Sequence, residues 1–232
     1  MGHRLLWTPG LSIVTDKARV GILISGRGSN MQSLVAAARE KDYPAKIVTV
    51  ISNRPDAPGL AWAAAKKIPT VALDHKAFRS RDAFESELQK ALDAAHVEII
   101  ALAGFMRLMT AGFVARWQDR MINIHPSLLP SFKGLHTHES ALAAGVRIAG
   151  CTVHFVRHEM DAGPIIAQAA VPVLSTDTPV SLANRVLEAE HALYPEALRL
   201  VAAGRARVEH DKVVISEDVN QSVPLFSPAF NK

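Results

Sequence analysis

Asn123, His125 and Asp161 are polar side chains whose types and spacing suit joint chemistry. The stretch Met121-Ile-Asn-Ile-His-Pro126 alternates apolar and polar residues, so on a strand Ile122 and Ile124 share one face and Asn123 and His125 the other. Pro126 holds His125 extended and donates no ladder hydrogen bond, as suits a strand that stops at a pocket. Further on, Arg157-His-Glu-Met-Asp-Ala-Gly-Pro164 reads as a loop whose small, turn-forming residues present one carboxylate inward. An imidazole paired with a carboxylate stays protonated longer and is fixed in orientation. Beside an amide donor it suits stabilising an oxyanion or passing a proton. The plainer reading stays open, in which Asn123 and His125 are satisfied structural groups and Asp161 caps its Gly-Pro turn.

A second constellation is Gly26-Arg-Gly-Ser-Asn30, placed where an apolar run gives way to helical spacing at Met31, Leu34, Val35 and Ala38. Gly26 and Gly28 let the backbone approach a ligand. Ser29 and Asn30 place donors at a helix N-terminus, where partial positive charge favours phosphate. A dinucleotide fingerprint fits less well, because Met31 stands where its third glycine belongs and the next strand ends in Ser52-Asn-Arg54 without an acidic residue. Arg54 leaves an NADP reading open, and a tight turn without ligand is the bland alternative.

Positioning these groups requires a sheet. Apolar runs at 20–25, 46–52, 69–73 and 97–103 alternate with helical segments after Gly28, at 59–67 and at 81–95. That rhythm predicts an α/β, Rossmann-like fold with a mostly parallel central sheet and helices on both faces; in such sheets ligands sit at the carboxyl ends of strands. Strands at 121–124, 148–156 and 165–173, with little helix between them, predict mixed strand directions in the C-terminal half. Thr178 as N-cap and Pro179 as first helical residue open a long helix to Gly204, with a kink expected at Pro195 and a hairpin at 207–215. The expected organisation is a flexible extension at 1–19 and one domain at 20–215, made of a phosphate-binding half (20–120) and a catalytic half (121–215). A loose tail follows at 216–232.

The 232 residues, 49% hydrophobic and 21% charged, provide a substantial core. The net charge of +4 comes without any run of five basic residues, which argues against nucleic acid and agrees with anionic small molecules. Cys151 is the single cysteine; it fits a reducing compartment, hence a cytoplasmic expectation, and belongs on its strand to packing. No apolar stretch reaches the roughly 18 residues of a membrane span, so no membrane association is expected.

Taken in order, Ile24-Ser-Gly-Arg-Gly-Ser-Asn30, Leu102-Ala-Gly-Phe-Met-Arg-Leu108, Ile122-Asn-Ile-His-Pro-Ser-Leu-Leu-Pro130, Gly134-Leu-His-Thr-His138, Val153-His-Phe155, Asp161-Ala-Gly-Pro-Ile165 and Glu190-His-Ala-Leu-Tyr-Pro195 are strongly similar to the folate-dependent formyltransferases. Within that family they resemble the branch acting on glycinamide ribonucleotide in purine biosynthesis. The resemblance spans about 20–204. It implies a transferase that moves the formyl group of 10-formyltetrahydrofolate, as cosubstrate, to the amine of glycinamide ribonucleotide. It implies a catalytic trio of Asn123, His125 and Asp161, a phosphate cradle at Gly28, Ser29 and Asn30, and Glu190 against substrate hydroxyls. The reduced folate is then expected against Met106, Arg107, Leu108, Met109, Asn123, Arg157, His158, Glu159, Met160 and Asp161, with Arg81 at its carboxylate tail. A monomer or homodimer without metal is expected.

Lys133 before Gly134 is a variant shared with formyltetrahydrofolate hydrolases, which have the same trio and pass the formyl group to water. In that group an extra amino-terminal regulatory domain is expected, and here nineteen residues precede the first strand. Methionyl-transfer-RNA formyltransferase, a second relative, carries a carboxyl-terminal RNA-binding barrel, for which too few residues follow Gly204. From other classes, His136-x-His138 with Glu139 and His125 suggests a metal-dependent hydrolase, though a pair without a defined third ligand is a weak signal. A non-catalytic phosphate-binding module is the remaining rival.

Overall fold

The computed structural model describes residues 17–216 and Ser227. The expectations for most of the extension and tail therefore lie outside the described residues. β1 (Ala18–Ile24) passes through the glycine turn into α1 (Ser29–Ala38), followed by β2 (Ala45–Ser52), α2 (Pro58–Ala65), β3 (Thr70–Ala72) and α3 (Arg81–Ala94). The second half runs β4 (Ile99–Leu102), α4 (Ala111–Arg116), β5 (Met121–His125), α5 (Thr137–Ala143), β6 (Ile148–Phe155), β7 (Ile165–Pro172), α6 (Pro179–Ala202), β8 (Ala206–Glu209) and β9 (Lys212–Ile215). One sheet has the order β3-β2-β1-β4-β5-β6-β7, and β8 pairs with β9 in a separate hairpin. Pairing is parallel from β3 to β5, while β6 lies antiparallel on β5 and β7 antiparallel on β6. The expected α/β architecture with mixed directions in its second half is the one observed. β1 begins at Ala18, two residues before the expected strand start, and α4 and α5 are short helices that periodicity did not reveal.

The strand period of two sends alternate residues into two cores. Val20, Ile22, Ile24, Ile122 and Ile124 pack with Met31, Leu34, Tyr194 and Leu198 on the side of α1 and α6. Leu23, Ile100, Leu102 and Met121 pack with Phe84, Leu88 and Leu92 of α3 on the other side. Asn123 and His125 share the parity of Met121, so they point to the α3 side, where Phe105, Met109 and Phe113 close the core.

Helix α6 covers the opposite face with a stripe at Leu182, Val186, Glu190, Tyr194 and Leu198, each buried. Each apolar member of that stripe stabilises the fold by about 1.5–3 kcal/mol. Thr178 and Ser181 form a capping box around Pro179 at its start, and the helix continues through Pro195. The buried Tyr194 hydroxyl donates to the carbonyl of Leu102 at 3.0 Å, with that of Ile122 at 3.3 Å, tying α6 to β4 and β5. Among the described residues no helix is long and apolar enough to cross a membrane.

β6 lies so close to its neighbours that a Cβ at Gly150 would stand 1.9 Å from the Ala169 carbonyl oxygen and 2.9 Å from Leu128 Cδ2. A backbone clash cannot be relieved by rotating a side chain. Gly150→Ala should therefore cost about 3 kcal/mol, the upper range for overpacking. Urea unfolding measures this as a lowered midpoint, and a midpoint equal to that of the parent protein contradicts the packing described.

Candidate active site

The trio converges because β6 runs back along β5. In that antiparallel register Asn123 faces His154 and His125 faces Thr152, so His154 joins the same sheet face. Asn123 Nδ2 lies 3.3 Å from His154 Nε2, while His154 Nδ1 lies 3.0 Å from the Phe155 carbonyl oxygen. A carbonyl only accepts, so Nδ1 carries the proton, and Nε2 accepts from the Asn123 amide when the ring is neutral. Burial holds the His154 pKa below its ordinary 6.5, against opposing contributions from the Phe155 carbonyl and Asp161. His154 thereby sets the direction of the Asn123 amide.

The loop after β6 then returns Asp161 over the end of β5. Its Oδ2 lies 3.4 Å from His125 Nδ1 and accepts the Gly134 N–H at 2.9 Å; its Oδ1 lies 3.8 Å from His154 Nε2. The His125 and Asp161 side chains are both almost buried, 6% and 10% exposed, so neither interaction is diluted by bulk water. His125 Nε2 stands 3.0 Å from the Phe132 carbonyl oxygen. Each ring nitrogen of His125 thus faces an oxygen that only accepts. Phe132, His136 and Asp161 carry left-handed φ values of 53°, 58° and 51°, concentrating unusual backbone around the trio.

The glycine turn, the segment after β4 and the segment after β5 lie at one edge of the sheet, because β1, β4 and β5 are parallel neighbours. The Ser25 N–H donates to the Gly104 carbonyl at 3.1 Å, so the first two segments touch. Gly28 is the N-cap of α1 with φ 68°, and no side chain caps the helix. Asn30 is buried; its amide donates to Glu190 Oε2 at 2.6 Å, and its own Oδ1 has no hydrogen-bond partner among the described residues. The Asn30 side chain, expected in the phosphate cradle, is thus engaged with the α6 carboxylate. Burial raises the Glu190 pKa above its ordinary 4.5, and the Asn30 hydrogen bond offsets part of that. His191, the next residue, is also shifted, held below its ordinary value by burial and then by the charge of Arg27.

The residues expected along the folate divide. Met106 and Leu108 are exposed, 66% and 60%, and Met160 is exposed over Gly134. Met109 turns inward and packs with Phe105 in the α3-side core. The Arg107 guanidinium lies over the Phe84 ring, 5.6 Å from its centroid, and Arg81 stands exposed at the start of α3. Arg157 is engaged elsewhere, pairing with Asp119 at 2.8 Å and Asp211 at 3.3 Å, while His158 and Glu159 are exposed and Glu159 meets Lys133 at 3.4 Å. His136 is exposed beside Glu139 at 3.6 Å, and the pKa of His138 is lowered, first by burial and to a smaller extent by the charge of His125. Among the described residues no group of three or more His, Cys, Asp or Glu is arranged to hold a metal ion. His154 entered the sequence reading only within the Val153-His-Phe155 segment and without a role; its place two residues after Thr152 on the same face of β6 was the available signal.

Residues 18–198 match the family described as Formyl transferase. The phosphoribosylglycinamide formyltransferase of Escherichia coli K12 is 42% identical over 190 residues, 82% of this chain and 90% of that protein. The trifunctional purine biosynthetic protein adenosine-3 of Bos taurus is 49% identical over 197 residues, 85% of this chain, and the chain spans 20% of that protein's length. Among solved structures, glycinamide ribonucleotide transformylase 1 from Symbiobacterium toebii superposes with a TM-score of 0.86 at 45% identity, covering 90% of this chain and 98% of that one. A formyltetrahydrofolate deformylase from Pseudomonas syringae pv. tomato superposes with a TM-score of 0.81 at 26% identity, covering 88% and 67%.

Glu190 gives the site a pH signature. Below its ordinary value of 4.5 the carboxyl is protonated in both folded and unfolded chains; as pH rises through its raised folded value, the buried group ionises and stability is lost. Glu190→Gln removes this titration. The variant's stability relative to the parent protein should rise as pH goes from 4.5 to neutrality, measured by urea midpoints. A difference independent of pH would contradict the burial described.

Proposed function

Because the chain belongs to the formyl transferase family, we propose that it transfers the formyl group of 10-formyltetrahydrofolate to the amine of glycinamide ribonucleotide in purine biosynthesis. The observation that carries this reading is the Asp161 carboxylate set between His125 and His154 at the end of β5, with the amide of Asn123 oriented beside them. The neutral amine attacks the formyl carbon, and negative charge develops on the formyl oxygen. Asn123 and protonated His125 are the donors for that oxyanion. At His125 Nε2 the oxygen competes with the Phe132 carbonyl. Asp161 holds the imidazole and assists proton movement from the amine toward the departing folate nitrogen. No covalent intermediate with the protein is needed; burial pushes the Cys151 thiol up to about 12, which leaves it a packing group.

The uncapped start of α1 at Gly28, Ser29 and Asn30 would receive the substrate phosphate, and Glu190 the hydroxyls beside it. Exposed Met106, Leu108 and Met160 would line the folate, with Met109 supporting the wall from beneath and Arg81 reaching the carboxylate tail. The loop 157–161 would contribute Asp161 and its exposed neighbours, Arg157 acting as an anchor through its ion pairs. The cytoplasm is the proposed compartment, with small molecules as partners and a monomer or homodimer as the working unit.

Hydrolysis of the same folate is the second reading, favoured by Lys133 and by the deformylase likeness, and set back by the higher identity to the transferases. Incubating the protein with 10-formyltetrahydrofolate should release deformylated folate when glycinamide ribonucleotide is present. Equal release without the amine would establish the hydrolase. Replacing one oxyanion donor, as in His125→Ala or Asn123→Ala, should lower kcat by about two to three powers of ten with substrate affinity largely kept. A variant with normal turnover would remove that residue from the mechanism.

A further inference from the structure

Glu85 is a buried carboxylate, 5% exposed, outside the trio, and both of its carboxylate oxygens accept from Thr110. Its Oε1 accepts the Thr110 N–H at 2.7 Å, and its Oε2 accepts the Thr110 hydroxyl. The hydroxyl oxygen already caps α4 by accepting the Phe113 N–H at 3.3 Å. The cap alone therefore does not require a carboxylate, and withdrawing a charge from water is costly unless hydrogen bonds compensate it.

What Thr110 terminates is the stretch 105–110, which belongs to no helix or strand. Its other end is held where the Met106 N–H donates to Ser25 Oγ at 2.8 Å. Between these anchors Phe105 and Met109 point into the α3-side core, and Met106 and Leu108 stand exposed. Arg81, Phe84 and Glu85 are spaced i, i+3 and i+4 on α3, one face of the helix. From that face Phe84 supports the Arg107 guanidinium and Glu85 holds Thr110.

We propose that Glu85 is a positioning residue for the folate: by holding Thr110 to α3 it fixes the exposed Met106 and Leu108 side chains relative to Arg81 on the same helix. This inference rests on the folate reading above. Glu85 does not touch the reacting atoms; it acts through the wall. A wall that wanders weakens the bound folate without altering the trio.

The test compares Glu85→Gln, Thr110→Val, their combination and Thr110→Ser. Kinetics use 10-formyltetrahydrofolate with glycinamide ribonucleotide, and direct titration uses tetrahydrofolate. Each of the first two variants should raise the folate KM and the tetrahydrofolate Kd about tenfold, the order expected for one lost charge-assisted hydrogen bond. kcat and the KM for the amine substrate should stay within about twofold. The double variant should be no worse than the more affected single one, because both act on the contact between Glu85 Oε2 and the Thr110 hydroxyl, and Thr110→Ser, which keeps both that contact and the cap of α4, should behave as the parent protein. An unchanged folate KM, or equal losses in kcat and both KM values with a lowered Tm, overturns the inference. If Glu85→Gln does not fold, Thr110→Val carries the same comparison. If the parent protein itself binds no tetrahydrofolate, the folate reading falls, and this inference with it.

Discussion

The Asp161 carboxylate stands between two imidazoles, and the rest of the site follows from how it is kept there. A carboxylate taken almost wholly out of water needs donors. The Gly134 N–H and the His125 ring supply them, at 2.9 Å and 3.4 Å. His154, although only 3.8 Å away, already donates from its other nitrogen to the Phe155 carbonyl and is held neutral by burial. The two histidines therefore have different work. His125 answers the carboxylate, and His154 answers the Asn123 amide. One buried charge, one neutral ring and one amide thus have defined orientations before any substrate arrives, which is the preorganisation that oxyanion stabilisation requires.

That arrangement depends on the change of strand direction at β6. A parallel strand beside β5 would not bring His154 opposite Asn123, nor return the chain so that Asp161 closes over His125. Gly163 makes the return possible: a Cβ there would stand 1.7 Å from the Phe155 carbonyl oxygen. The parallel half serves a different need, bringing the ends of β1, β4 and β5 to one edge. The uncapped start of α1 and the exposed Met106 and Leu108 thereby share an edge with the trio. Helix α6 joins the halves, since its stripe carries both Tyr194, bonded to β4 and β5, and Glu190, bonded to Asn30.

Much of this was legible in the residues. The continuous apolar runs of β1, β2 and β4 announced buried parallel strands, and the alternation in β5 placed Asn123 and His125 on one face. Features set by distant partners were not legible. His154 matters because of its register with β5, and register does not appear in a local pattern. Arg157 looked like a loop residue free for ligand, yet Asp119 and Asp211, far off in sequence, hold it. Met109 sits in a run with exposed neighbours and still turns inward, because strand-like alternation persists in a stretch that forms no ladder. Helices α4 and α5, six and seven residues long, are too short to display a period. Glu190, named through the family resemblance, also stands out as a carboxylate in the middle of an apolar helical stripe.

The central claim is that the Asn123, His125 and Asp161 cluster is where the formyl group reacts. A structure of the protein with a stable 10-formyl folate analogue and glycinamide ribonucleotide tests it directly. The account predicts the formyl oxygen about 3 Å from Asn123 Nδ2 and from a ring nitrogen of His125, with the phosphate at Gly28 and Ser29. A formyl group bound away from these donors, with the trio still closed on itself, would contradict it.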